Sequence, residues 1–388
     1  MGENKDVLLD IKDLSVQFNT DSGVVKAVNH LNMRLERGKS LGFVGETGAG
    51  KTTILKTVAG IEFPDRGFVR FDGEIMNLVE PAVRNVSMVF ENYALYPHMS
   101  VFDNIASPMR SPLHREKEDV IRERVHKIAD TMGIGHLLER LPSQLSNGQR
   151  QRTALGRCLV RSPRVFLMDE PLAHLDAKLR HLMRTELKAM QTQFDTTTIY
   201  VTHDYTEAMS LGDRIAILNE GRIVQVGTGE TIYYTPVNDF VAKLVGEPEI
   251  NLVDAELVSV GGEMMMRLGN APQTFPVPVD VVPVLQELCG SVKNWRVGIR
   301  AKNIHYSFEA LSDALDGVVY NLEPIGNKSI LTVKVGETSY QTVINNDMKM
   351  ELDSRIYLRP DMENALFFDG DTGRFVVRHN QAGLLQGR

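Results

Sequence analysis

Cysteine is scarce in this chain, with Cys158 and Cys289 the only two in 388 residues. They lie far apart and form no spaced framework, which excludes a disulfide-stapled scaffold and fits a reducing compartment. Long apolar runs are missing too: no stretch of about eighteen apolar residues exists to span a bilayer. The opening Met1-Gly2-Glu3-Asn4-Lys5-Asp6 lacks the apolar core of a signal peptide, so a cytoplasmic location is expected. Any membrane role must then act through a partner. A basic excess is also absent. The formal charge is −7, which argues against a nucleic-acid binder. There is no long internal repeat and no low-complexity segment. What remains, 43% hydrophobic and 24% charged, is the composition of a globular protein with two or three domains.

Against that background one stretch stands out. Gly45-Glu46-Thr47-Gly48-Ala49-Gly50-Lys51-Thr52 is a complete G-x-x-x-x-G-K-[ST] phosphate loop. Leu41–Val44 before it reads as a buried strand, and Thr52–Ala59 after it reads as a helix stopped by Gly60. Glycines let successive backbone N–H groups face a phosphate, and the helix N-terminus adds partial positive charge. Lys51 would reach the β- and γ-phosphates and the Thr52 hydroxyl would hold Mg²⁺. The spacing predicts binding of a nucleoside triphosphate.

Up to about residue 240, short apolar strands alternate with helical stretches, the pattern of an α/β domain with a largely parallel sheet. Val165–Met168 and Thr198–Val201 are continuous β-prone runs. From Tyr93 to Pro142 the chain turns helical. Arg115–Arg124 there reads as a solvated helix face with i,i+4 pairs. Ile215–Leu218 and Arg222–Val226, joined by Asn219-Glu220-Gly221, predict a hairpin. A helix bearing Phe240, Val241, Leu244 and Val245 leads into Gly246-Glu247-Pro248-Glu249, the expected linker. Beyond it the period shortens. Leu331, Val333 and Val335 alternate with Thr332 and Lys334, and Val277 and Val279 alternate with prolines as on an edge strand. The tail therefore reads as a small, mostly β barrel.

Two carboxylates, Asp169 and Glu170, close the run from Val165. At the end of a buried strand Asp169 can bind Mg²⁺ and Glu170 can polarise a water, although such a pair can also merely cap a helix. His203 closes the next run at the same edge. Ser146 reads as the N-cap of a helix with Ala154, Leu155, Cys158 and Leu159 on one face. That is a second anion-binding helix end, useful if two copies meet.

In order and spacing, Gly45–Thr53, Leu145–Arg152, Val165–Glu170, Leu175-Asp176 and His203 resemble the ATP-binding cassette (ABC) ATPases. The resemblance implies a P-loop NTPase domain over residues 1–245, with a helical subdomain at about 92–162. It makes Gly45, Glu46, Thr47, Gly48, Ala49, Gly50, Lys51, Thr52 and Thr53 the Walker A loop, and Asp169 and Glu170 the end of Walker B. Ser146, Gly148 and Gln149 fall in the signature, Asp176 in the D-loop, and His203 is the switch histidine. Phe18 matches the aromatic that stacks on adenine, though an apolar strand residue reads the same way. Lys51, Glu170 and His203 are then catalytic, and Thr52, Asp169 and Glu91 surround the metal.

Tyr93–Val101, Leu167–Arg180 and Thr202–Met209 are similar to the maltose-type sugar-importer ATPases. Val297–Arg300, Asn321–Gly326 and Leu366–Asp369 resemble their oligonucleotide-binding-like (OB-like) regulatory domain, expected here over 246–388. Phe18–Gly45 is closer in flavour to peptide importers. The resemblance implies a dimer, or a pair with a related ATPase, on the cytoplasmic face of two membrane permease subunits, with an extracytoplasmic solute-binding protein. The implied function is ATP hydrolysis that powers import of a carbohydrate or polyol. Oligopeptide or glycerol phosphate import, or a nucleotide-sensing regulator, is the alternative. Four residues depart from the family pattern. Glu91 stands in place of the glutamine at the metal and Asn147 in place of a signature glycine, a substitution eased if the backbone is left-handed. Ala173 and His174 replace a polar pair.

Overall fold

The structure, a computed structural model, describes residues 6–21, 23–173, 175, 177–311, 313–346, 348 and 350–381. The chain forms two compact units, Met1–Gly229 and Glu230–Arg388.

The first unit is built on a six-stranded sheet in the order Arg222–Gly227, Arg214–Asn219, Ser40–Val44, Thr197–Thr202, Val165–Asp169, Val86–Val89. Its strands run parallel except the antiparallel edge Arg222–Gly227. Every residue of Ser40–Val44, Val165–Asp169 and Thr197–Thr202 is buried. Parallel strands covered on both faces favour such short, unbroken β-prone runs, which is why Val165–Met168 and Thr198–Val201 are legible in sequence. The predicted hairpin turns through Glu220 and Gly221, both left-handed at φ 46° and 73°, the geometry of a two-residue type I′ connection.

A second, antiparallel sheet of four strands follows the order Gly23–Glu36, Val7–Thr20, Arg66–Phe71, Glu74–Ile75. The helix Lys51–Ala59 lies between the sheets. Its Ile54, Leu55 and Val58 share one core with Leu9, Leu31 and Phe71 of the antiparallel sheet and with Phe43, Val165 and Ile199 of the parallel one. The phosphate-loop helix is thus clamped from both sides.

The helices Val101–Arg110, Glu118–Thr131 and Asn147–Leu159 make the helical subdomain. They meet at Gly156, where an added Cβ would stand 3.1 Å from Ile128 Cγ2 and 3.3 Å from Ile105 Cδ1. Burial beside them pushes the Cys158 thiol up to about 12, so it is inert. Arg115–Lys117 precede the helix Glu118–Thr131. The close ion pairs here, Arg110–Glu118 and Arg124–Glu116, are eight residues apart, whereas the expected i,i+4 relation appears as the Arg122 charge acting on Glu118.

The second unit holds two antiparallel sheets. One runs Thr274–Pro276, Glu263–Leu268, Asn251–Val260, Trp295–Ile299, Leu366–Asp369, Phe375–Arg378; the other runs Ile304–Ser307, Arg355–Pro360, Leu315–Ile325, Lys328–Val335, Thr338–Asn345. They share a core that includes Met266, Trp295, Val319, Leu331, Val333 and Phe367. The five-stranded sheet curls until its end strands meet, Thr342 Oγ1 donating to Ile304 O at 2.6 Å. That closure makes the mostly β, barrel-like domain. The expected edge strand stops at Pro276, because Pro276 and Pro278 cannot donate to a ladder. Val277 beyond it is buried and Val279 exposed.

The two units divide ahead of the Gly246–Glu249 linker. Arg300, buried in the second unit, donates to Tyr233 O at 3.0 Å, to Ala242 O at 2.8 Å and to Val245 O. These bonds tie Tyr233 and the helix Asp239–Leu244 to the β domain, a long-range link that local composition does not reveal.

Candidate functional site

In a parallel sheet the strands' carboxyl ends share one rim, and ligands bind there. Register aligns Val44 with Thr202 and Asp169 with Val201, so the phosphate loop, Asp169–Glu170 and His203 leave the sheet side by side.

The loop is shaped by its glycines and by what presses on them. Gly50 caps the helix Lys51–Ala59 at φ 93°. A Cβ on Gly50 would stand 2.0 Å from Ala27 O, and one on Gly45 would stand 2.5 Å from Leu218 O. The hairpin turn buttresses the loop: Gly221 N donates to Ala49 O at 3.2 Å, and Asn29 N to Gly221 O at 2.9 Å. Sequence motifs gave no sign of Ala27 or Gly221, because their role comes only from tertiary contact. Glu46, Thr47 and Gly48 form the exposed crest, and Thr53 is half-buried in the following helix.

Lys51 is buried. Its Nζ donates to Gly45 O at 2.7 Å and to Glu46 O at 3.0 Å. Burial lowers its pKa, opposed by the charges of Glu170 and Asp169. The hydrogen-bond partners of this ammonium are neutral carbonyls, and an anionic phosphate matches the charge they leave.

Thr52 Oγ1 donates to Asp169 Oδ1 at 2.9 Å. Burial raises the Asp169 pKa. The Thr52 bond lowers it, and the negative charges of Glu170 and Glu91 raise it further. Glu91 therefore belongs to the same electrostatic neighbourhood. Among the described residues no group of three or more His, Cys, Asp and Glu forms a metal cage. The oxygen donors present, a threonine hydroxyl and carboxylates, fit Mg²⁺ held jointly with substrate phosphates.

Glu170 adopts a left-handed backbone, φ 44°, which is strained for a residue with a side chain. Its N–H donates to Val201 O at 3.1 Å on the neighbouring strand, and its Oε2 stands 3.3 Å from His203 Nδ1. The strained turn points one carboxylate at one imidazole.

Ser146 caps the helix Asn147–Leu159 in a reciprocal box. Its Oγ accepts from Gln149 N at 3.3 Å, and Gln149 Oε1 accepts from Ser146 N at 3.0 Å. Gly148 is buried in the first turn. Asn147 differs from the sequence expectation. It is the first residue of that helix and is not among the left-handed positions, so tolerance of left-handed backbone is irrelevant to it. Its Oδ1 instead accepts from Arg150. Among the described residues no hydrogen bond joins Ser146, Gly148 or Gln149 to the phosphate loop.

Phe18 lies on the strand Val7–Thr20, paired with Val25 and 37% exposed, so its ring is available at the surface. Asp176 and His174 lie outside the described residues. A feature missed in sequence follows Glu91. Tyr93 and Ala94 are left-handed, and Arg157 of the Asn147–Leu159 helix donates to their carbonyls at 2.9 and 2.8 Å. The loop carrying Glu91 is thereby strapped to the helix that Ser146 caps.

Residues 28–173 match the family described as ABC transporter. The trehalose/maltose import ATP-binding protein of Thermococcus litoralis is 38% identical over 369 residues, covering 91% of this chain and 96% of the relative. The chain belongs to the ABC transporter family. Another similar protein is the sn-glycerol-3-phosphate import ATP-binding protein of Psychromonas ingrahamii, 37% identical over 90% of this chain and 91% of its own length. A solved subunit of an ABC transporter complex from Clostridium perfringens aligns with TM-score 0.54 and 28% identity, over 59% of this chain and 92% of the other. This ABC ATPase is an ATP-binding, ATP-hydrolysing import subunit, and its β-rich second unit follows the cassette. Among the described residues it has no helix long and apolar enough to cross a membrane.

Proposed function

We propose that this ABC ATPase powers uptake of a carbohydrate or polyol, working as a dimer on the cytoplasmic face of a pair of membrane permease subunits supplied by a solute-binding protein. The reading of the site rests on one observation: the phosphate loop, Asp169–Glu170 and His203 leave adjacent parallel strands at a common rim. The solute class rests on similarity to the trehalose/maltose import protein. Similarity to a glycerol phosphate import protein is nearly as high, so that solute is the second reading.

Lys51 binds the transferred phosphoryl group, with the loop N–H groups of Gly45–Thr53 around the remaining phosphates. Thr52, Asp169 and Glu91 would hold Mg²⁺, which when bound neutralises phosphate charge. Glu170 takes a proton from the attacking water, and His203 fixes the Glu170 carboxylate and the γ-phosphate. Phe18 stacks on adenine. Ser146, Gly148 and Gln149 come from the second copy and aim a helix N-terminus at the γ-phosphate, with Asp176 at the dimer seam. That no hydrogen bond joins Ser146 to the loop among the described residues of one chain supports that division. Phosphoryl transfer needs mainly positioning and charge neutralisation, so splitting the donors between subunits makes closure a condition of hydrolysis. Helices after Glu91 receive the permease, and the Arg157 strap links that surface to the signature helix. The cassette occupies the first part of the chain, and the β-rich tail regulates or stabilises the dimer.

The test is reconstitution with the native permease and solute-binding protein. Disaccharide- or polyol-loaded binding protein should stimulate ATP hydrolysis, and Lys51→Ala should abolish both stimulation and ATP binding by calorimetry. Stimulation confined to glycerol phosphate or oligopeptide would overturn the solute class. Undiminished hydrolysis by Lys51→Ala would overturn the site.

A further inference from the structure

His203 is not held by packing. Its side chain is 61% exposed, yet Nδ1 stands 3.3 Å from Glu170 Oε2. The turn that carries it is fixed from within. Asp204 N, the amide just after His203, donates to Thr202 Oγ1 at 3.0 Å, and the Thr202 hydroxyl donates to Glu207 Oε2 at 2.9 Å. A hydroxyl has one proton, so giving it to Glu207 turns a lone pair toward the Asp204 amide. The Asp204 carboxylate then caps the helix Tyr205–Leu211, accepting from Thr206 N at 2.8 Å and Glu207 N at 3.2 Å. The circuit closes on itself around the 203–204 peptide.

Thr202 and Glu207 are only 2% and 3% exposed, so water does not compete for these bonds. Among the described residues Glu207 Oε1 has no hydrogen-bond partner. Keeping an acid buried with half its carboxyl unpartnered costs stability, and an apolar residue would fill the space more cheaply. A purely structural role does not account for that choice.

We infer that Glu207 is a positioning residue for hydrolysis, setting through the Thr202 hydroxyl the turn that aims His203 at Glu170. This rests on the reading of His203 as part of the hydrolytic site. Burial raises the Glu207 carboxyl to about 7. The Thr202 bond lowers it, Asp204 raises it, and Arg180 and Arg184 lower it. Tyr200, also buried, feels the Glu207 charge. A neutral carboxyl still has a carbonyl oxygen to accept from Thr202, so the bond survives protonation and glutamine is the matching replacement.

Steady-state hydrolysis of Mg-ATP by the purified full-length chain tests the inference in wild type, His203→Ala, Glu207→Ala, Glu207→Gln, Thr202→Val and the His203→Ala/Glu207→Ala pair. Glu207→Ala and Thr202→Val should lower kcat on the order of ten- to a hundredfold with little change in KM, as a misaimed group does. Glu207→Gln should recover most of the rate, and the double variant should be no slower than His203→Ala alone. Equal losses in the Ala and Gln variants, or additive losses in the double variant, would overturn the inference. If Glu207→Ala fails to fold, the near-isosteric Thr202→Val decides, and a wild-type kcat there would overturn it. Wild-type turnover by His203→Ala would bring down the site reading itself, an outcome distinct from all of these.

Discussion

Thr52 and Asp169 are 117 residues apart in sequence and joined by a 2.9 Å hydrogen bond from Oγ1 to Oδ1. The bond closes the gap between the first turn of the phosphate-loop helix and the end of a neighbouring strand. Both oxygens suit a hard divalent cation. The arrangement is only as good as the loop geometry that places Thr52, and that geometry depends on glycine.

Gly50→Ala and Gly48→Ala should separate two costs. Both positions are left-handed, at φ 93° and 87°, which costs a side-chain-bearing residue about 1–2 kcal/mol. An added Cβ at Gly48 meets nothing within 4 Å, whereas at Gly50 it would meet Ala27 O at 2.0 Å. Gly50→Ala must therefore also displace the strand Gly23–Glu36. Thermal melts should show the larger loss for Gly50→Ala, and calorimetry should show that it alone abolishes tight ATP binding. Equal melts for the two variants would contradict this account.

Glu170→Gln should bind ATP normally but turn over about 10²–10⁴ times more slowly, the range for loss of a general base. The amide keeps the side-chain length and leaves Lys51 and its carbonyl anchors untouched. Binding by calorimetry and turnover by phosphate release, measured on one preparation, check both halves. Near-normal turnover would mean that another group accepts the proton.

The parts of this protein legible in sequence were those with local signals. The strands Ser40–Val44, Val165–Asp169 and Thr197–Thr202 are short β-prone runs buried along their whole length because both faces are covered, and the phosphate loop is a spacing of glycines. The four-stranded sheet was not legible, because Val7–Thr20 finds partners as distant as Arg66–Phe71. Asn147 was misread for a related reason. Tolerance of left-handed backbone is a property of the residue, whereas its helical position follows from the Ser146 cap. The contacts of Arg157, Ala27 and Glu207 are not written in the sequence, and only the folded chain brings them against Tyr93, Gly50 and Thr202.

Glu207 makes stability depend on pH. Its folded pKa of about 7 lies above the ordinary 4.5, so the folded chain keeps a proton that the unfolded chain releases. Below the ordinary value both states hold the proton and nothing is lost. Stability then falls as pH rises toward 7, and above that the loss is complete, roughly 3 kcal/mol at about 1.4 kcal/mol per unit. Glu207→Gln has no charge to bury. It should melt near wild type at pH 5 and above it at pH 8. A variant less stable than wild type at pH 8 would show that Arg180 and Arg184 outweigh burial.

Glu91 brings a further carboxylate toward the rim, from a loop of its own. The loop behind it is fixed by Arg157 at 2.8 and 2.9 Å, so its side chain springs from a defined point. Its charge already acts on Asp169, whose carboxyl is raised first by burial and then, against the Thr52 bond, by Glu170 and Glu91. A carboxylate is a stronger ligand for Mg²⁺ than an amide oxygen of the same reach. Without the metal, it repels the γ-phosphate and the Asp169 and Glu170 carboxylates. Glu91 should therefore hold the metal more tightly and make closure more dependent on it. In Glu91→Gln, half-saturation of hydrolysis by Mg²⁺ should move to higher concentration, while the penalty for omitting the metal shrinks. The ratio of permease-stimulated to basal rate should change with it, since the same loop leads to the helices proposed above to receive the permease. Mg²⁺ titrations of the two proteins, with and without permease, check both expectations. Superimposable curves would mean that Glu91 faces solvent and leaves the metal to Thr52 and Asp169.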